Sequence, residues 1–80
     1  MRNMYDAQKD TQRAMAAGRE ILDGRHPIDD RATVLITLDH LIATVLIASM
    51  GGDAKKAVGM LHEGTIPSVE ERIALYASKP

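Results

Sequence analysis

The stretch TVLITLDHLIATVLIASM, residues 33–50, decides the fold because it is apolar on almost every side. As an α-helix it is about 27 Å long, at about 1.5 Å per residue. Its polar side chains gather on one narrow stripe with a 4-3-4 spacing. The members of this polar stripe are Thr33, Thr37, His40 and Thr44. A helix that is hydrophobic nearly all round belongs at the centre of a fold, where several neighbours cover it.

Other apolar side chains of this helix form the candidate core or dimer interface. Its members are Leu38, Leu41, Ile42, Val45 and Leu46. The polar stripe has three placements that stay open: the wet surface of the helix, a hydrogen-bonded seam between helices, or the lining of a pocket. A buried hydroxyl without a partner costs about 1–3 kcal/mol, so a buried stripe requires hydrogen-bond partners.

Two other structures fit parts of this stretch. Its Val, Ile and Thr content favours strands, but the strict alternation of a half-buried strand fails and no turn chemistry interrupts the run at Asp39-His40. A membrane span needs roughly 20 apolar residues, and Asp39 in mid-bilayer costs about 2.5–3.5 kcal/mol. The prediction is therefore a soluble helix that has no membrane partner.

The first half of the chain predicts a long antiparallel helix hairpin. Small and apolar residues at 3-4 spacing predict a first helix over residues 3–23, and Gly24 is expected to end it. The central helix is expected over residues 30–50, with Asp29 or Asp30 as its N-cap. A short connection between two long helices makes them antiparallel neighbours.

Two short helices are expected after the Gly51-Gly52 break. Asp53 is expected to cap a helix over residues 54–63, which Gly64 ends. The sequence Ser68-Val69-Glu70-Glu71 then matches a capping box that begins a helix over residues 69–77. The two helices are expected to lie across the hairpin and cover part of the central helix. The fold class is thus all-α, a small helical bundle in one domain, residues 1–80.

Length and composition indicate self-association. A chain of 80 residues buries only about 60–65% of the surface that its unfolded form exposes. With no Cys, neither a disulfide nor a thiolate metal site can stabilise it. A second copy of the chain supplies the missing stabilisation most simply, so a homodimer is expected.

Charge and targeting patterns narrow the partners and the location. Ten basic and eleven acidic side chains leave a formal charge of −1, which makes no large field for nucleic acid or an anionic membrane. Charged residues near the start take the place of the apolar core of a signal peptide. Together with the absence of Cys, this predicts a cytoplasmic protein.

The search for a chemical site predicts no catalytic residue, no metal and no cofactor. His40 is the first candidate for a base, ligand or phosphoryl acceptor, but membership of the polar stripe explains it more simply. Neither H-x-x-x-H nor H-E-x-x-H occurs, so a metal site requires His26, His40 and His62 to converge. If residues 54–77 formed a DNA-binding helix-turn-helix, Glu70-Glu71 would lie at the start of the second helix, the end that usually enters the DNA groove. Their charges would repel the DNA phosphates there.

Three function classes follow from these observations. The leading one is a non-enzymatic, homodimeric protein-interaction or regulatory module, with room for an unidentified protein partner. The second is a nucleic-acid-associated regulator, which the charge pattern disfavours. The third is a metal-binding or small-molecule-binding protein built on the three histidines.

Overall fold

The computed structural model describes residues 4–78, and the side chains of residues 8–78. Its elements, in chain order, are α1 (Met4–Leu22), α2 (Arg31–Ser49), α3 (Ala54–Met60), a π-helical segment (Leu61–Thr65) and α4 (Ile66–Ala77). No strand occurs within residues 4–78. The predicted all-α class is confirmed, and the two long helices match their predicted bounds to about one residue. Residue 3, the predicted start of the first helix, lies outside the described residues.

The chain divides into two compact units, Met1–Asp39 and His40–Pro80, and each is described by itself. In the first unit, α1 ends in a left-handed turn. Asp23 has a φ of 48° and Gly24 a φ of 75°, a region that glycine enters without a Cβ penalty. The prediction that Gly24 ends this helix is confirmed.

The connection between α1 and α2 is stabilised by its own side chains. The carboxylate of Asp30 accepts a hydrogen bond from the His26 N–H at 2.8 Å. Nδ1 of His26 in turn accepts from the N–H groups of Ile28 and Asp29, each at 3.2 Å.

Asp30 directly precedes α2, which is the predicted N-cap position, and its carbonyl accepts from the Val34 N–H at 3.1 Å and from the Thr33 hydroxyl at 3.0 Å. Its carboxylate, however, binds within the connection and not to the first turn of α2.

Arg25 joins the end of α1 to α2 inside the first unit. Its Nε donates to the Leu22 carbonyl at 3.0 Å, and Nη2 donates to the Ile21 carbonyl. Nη2 also donates to Oγ1 of Thr37 at 3.1 Å. The last carbonyls of a helix lack intrahelical partners and carry partial negative charge, so a guanidinium is well suited to this position.

In the second unit, α2 ends where the sequence predicts. Gly51 and Gly52 have φ values of 65° and 85°, and the Gly52 N–H donates to the Ile47 carbonyl at 2.8 Å. Asp53 then caps α3, because its Oδ1 accepts from the N–H of Lys56 at 3.0 Å. Both the glycine break and the Asp53 cap are confirmed.

The predicted turn between the third and fourth helices is wrong. From Ala54 to Ala77 the chain is one continuous helical segment of 24 residues. At Gly64 no left-handed turn occurs; the residue lies inside the π-helical segment. A Cβ built there would lie 2.6 Å from Sδ of Met60, the flexible end of a side chain that would have to move.

Pro67 explains why the helix widens before it. A proline inside a regular α-helix clashes with the carbonyl four residues earlier, which here belongs to Glu63. In the π-helical segment, the Ile66 N–H instead donates to the Leu61 carbonyl, five residues back. The wider turn accommodates the proline and lets the helix continue, as π-bulges commonly do. Ser68 consequently lies inside α4, and the predicted capping box does not begin this helix.

The two candidate caps are distinguished by alanine substitution. Asp53→Ala should lower the free energy of unfolding by about 1 kcal/mol, because it removes the acceptor for an orphan N–H group. Ser68→Ala is the matched control and should change it by no more than about 0.5 kcal/mol. Chemical denaturation measures both. An equal loss from the two substitutions would restore the capping box and contradict the continuous helix.

Candidate interaction surface

Apolar side chains remain exposed along all of α2. Among the side chains described, residues 8–78, only Ala57 is buried, with 6% of its surface exposed. The large apolar residues of α2 that are more than one-third exposed are Leu35, Ile36, Leu41, Val45 and Ile47. A fully apolar helix normally lies in a core. The described residues therefore leave much of α2 exposed.

Four of the five predicted interface residues lie on one arc of α2, about 100° wide, which adjoins the polar stripe at Leu41. Leu41 is 38% exposed and Val45 is 53% exposed, while Leu38 and Ile42 are half-buried. We call these four residues the α2 interface face. The fifth residue, Leu46, lies about 40° beyond the Ile42 edge of this face.

Leu46 belongs to an apolar cleft between α2 and α3 within the second unit. The cleft has a volume of about 170 Å³. Its lining consists of Ala43, Leu46, Ile47, Ala54, Ala57, Val58 and Leu61. Small-molecule sites usually measure about 300–1000 Å³, so this cleft is a packing groove between two helices. The expected cover of α2 by the last two helices is thus limited in this unit to the contact beside the cleft.

The polar stripe is satisfied by its own helix. Thr33, His40 and Thr44 are exposed and Thr37 is half-buried. The Thr37 hydroxyl donates to the Thr33 carbonyl at 3.2 Å, and the Thr44 hydroxyl donates to the His40 carbonyl at 2.8 Å. No member of the stripe lines the cleft. Because these hydroxyls already donate within the helix, the stripe tolerates either water or a neighbouring helix without leaving an unmade hydrogen bond.

The three histidines occupy separate positions in the two units. His26 lies in the connection of the first unit, and His40 and His62 are exposed in the second. Within the described residues, no group of three or more His, Cys, Asp or Glu side chains is arranged to hold a metal ion.

By length and composition, α2 is also able to cross a membrane. The core helix of a soluble protein passes the same test when neighbours cover it, but no residue of α2 is buried inside the chain. Asp39 and His40 lie near its middle and are both exposed. The structure therefore poses one question, which is what covers α2.

Comparison with protein-family models, with curated proteins and with solved structures finds no match to this chain.

The packing beside the cleft gives a testable difference between two leucines. Leu46→Ala should lower the free energy of unfolding by about 1–2 kcal/mol, less than the 2–5 kcal/mol of a fully buried leucine, because Leu46 is half-buried. Leu75→Ala is the matched control at a position that is 57% exposed, and its effect should stay within about 0.5 kcal/mol. Urea denaturation measures both. A larger loss at Leu75 would mean that α4, and not the cleft, carries the packing.

Proposed function

We propose that this protein is a non-catalytic helical module that acts as a homodimer, with the α2 interface face at the contact between copies. The observation that carries the proposal is the exposure of large apolar side chains along α2, among them Leu41 at 38% and Val45 at 53%. Obligate homodimer interfaces are more hydrophobic than other protein interfaces. A second copy that presents the same helix would supply apolar cover of this kind.

The chemistry of the α2 interface face fits a protein partner of the same kind. Its four side chains are aliphatic, and none carries a charge or an unpaired polar group. The cores of homodimer interfaces are more apolar than the rest of a protein surface and are depleted in charge. Each copy presents the same patch, as a twofold symmetric interface requires.

A lipid bilayer is the competing cover for α2, and the charge at its middle disfavours it. A membrane span would place Asp39 near the bilayer centre, at a cost of about 2.5–3.5 kcal/mol. A protein partner on one face of the helix leaves Asp39 and His40 in water on the other faces. The second copy thus covers the apolar surface without burying these groups.

The role that we propose for the dimer is interaction with, or regulation of, another macromolecule. Support comes from the surface that a contact through α2 leaves available. On α4, Val69, Ile73 and Tyr76 share one side of the helix and are 45%, 62% and 63% exposed. Aromatic residues are enriched in recognition surfaces because they combine apolar area with a polar tip.

A charge placed on the interface face tests the proposal. Val45→Asp should convert the dimer into a monomer, because an unpaired carboxylate buried between two helices is strongly destabilising. In an isolated chain the same residue is 53% exposed, so the substitution should be tolerated there. Light scattering coupled to size exclusion measures the mass, and circular dichroism measures the helix content.

His40→Asp is the matched control, since it places the same side chain on the same helix at an exposed position away from the interface face. This variant should remain a dimer. A wild-type protein that is a monomer would refute the proposed function. Wild-type protein that floats with neutral phosphatidylcholine vesicles would replace the second copy with a membrane.

A further inference from the structure

We propose that His26 is a pH-dependent cap of the connection between α1 and α2. The neutral imidazole holds the turn at residues 27–30 closed, and protonation of its Nδ1 opens this turn. The observation that carries the inference is a ring nitrogen that accepts two backbone N–H groups at once. The inference does not depend on the proposed function, because every group involved lies in the first unit.

The turn that His26 caps has the hydrogen bonding of a single helical turn. The Asp30 N–H donates to the His26 carbonyl, four residues back, at 2.9 Å. Pro27 takes the first position of this turn, where its fixed φ is suitable and a missing N–H costs nothing. The next two N–H groups, those of Ile28 and Asp29, have no preceding carbonyl to bind at the start of a helical turn and need another acceptor.

The His26 side chain supplies this acceptor. Its Nδ1 accepts from the N–H groups of Ile28 and Asp29, each at 3.2 Å, which is the role that Ser, Thr, Asp or Asn usually has at a helix N-cap. The bonding is reciprocal, because the Asp30 carboxylate accepts from the His26 N–H at 2.8 Å, as in a capping box. A neutral imidazole accepts through only one nitrogen, so the ring proton belongs on Nε2.

Protonation removes the acceptor and replaces it with a donor. An imidazolium carries a hydrogen on both nitrogens, so Nδ1 can no longer bind the N–H groups of Ile28 and Asp29. The Asp29 carboxylate is the group that gains from the change, since its Oδ2 lies 3.7 Å from Nδ1. The ring thus exchanges two backbone N–H groups for one carboxylate, and the turn loses its cap.

The surroundings of His26 allow this exchange. Its side chain is 59% exposed, so the proton arrives directly from water. Asp29 and Asp30 are the carboxylates that the described structure places against this residue. The neighbouring Arg25 directs its guanidinium to carbonyls at the end of α1 and to Thr37. Histidine is the type of side chain that changes charge between about pH 5 and pH 8, so the switch operates in this range.

Nuclear magnetic resonance tests the switch at the two amides that it releases. The temperature coefficients of the Ile28 and Asp29 amide protons distinguish an N–H bound within the protein from one bound to water. At about pH 7.5 both should report internal hydrogen bonds, and at about pH 5 both should report bonds to water. The matched control is His26→Asn, whose side-chain oxygen can accept the same N–H groups but gains no charge. Its two amides should stay internally bonded at both pH values.

The nitrogen chemical shifts of the wild-type imidazole give a second readout that requires no variant. At about pH 7.5 they should show the proton on Nε2, the form in which Nδ1 accepts. A neutral ring with its proton on Nδ1 would overturn the inference, and so would wild-type amides that keep their internal bonds at about pH 5. Loss of these bonds in His26→Asn on the same change of pH would assign the opening to another group and would also overturn it. These outcomes are separate from the oligomeric state, which tests the proposed function.

Discussion

The need to keep water away from α2 governs the rest of the structure. Apolar surface contributes about 25 cal/mol for each Å² that is removed from water, and α2 offers such surface in nearly every direction. Within the second unit, α3 packs on one side of it beside the cleft. Leu41 and Val45 of the α2 interface face remain exposed. The proposed function assigns the cover of these residues to a second copy of the chain.

The continuous helix from Ala54 to Ala77 increases this dependence. A tight turn at Gly64–Pro67 would let the last helix fold back toward α2. The π-helical segment instead relieves the clash of Pro67 and keeps the segment in one piece. As a result, α4 carries exposed Ile73 and Tyr76 away from its own cleft. The backbone geometry before one proline thus keeps Ile73 and Tyr76 on a continuous helix, where both are exposed.

Local signals predicted the helix boundaries well where one residue decides the backbone. Glycines that adopt positive φ end α1 and α2, and the Asp53 carboxylate begins α3; each of these effects acts over three or four residues. The capping box at Ser68 failed because its pattern is also compatible with the interior of a helix. Nothing in the local sequence shows that a π-bulge accommodates Pro67, since that depends on the carbonyl positions of the preceding turn. Arg25 was overlooked, although a basic residue just after a predicted helix end is a recognised signal for the last carbonyls.

The interaction surface could be predicted only in part, because periodicity assigns residues to helix faces but does not assign neighbours to those faces. It placed Leu38, Leu41, Ile42 and Val45 on one broad arc of α2, and their role as an interface stays a prediction. It could not separate Leu46, whose environment depends on where α3 lies. The polar stripe also needed coordinates, since only the hydrogen bonds of Thr37 and Thr44 show that its hydroxyls are already satisfied.

The dependence of thermal stability on protein concentration tests the central claim most directly. If a second copy covers α2, folding is coupled to association, and a hundredfold increase in concentration stabilises the folded dimer by about 2.7 kcal/mol. The midpoint of thermal unfolding, followed by circular dichroism at two such concentrations, should then rise clearly with concentration. A midpoint that is the same at both concentrations would show that the single chain is stable alone, and would contradict the account.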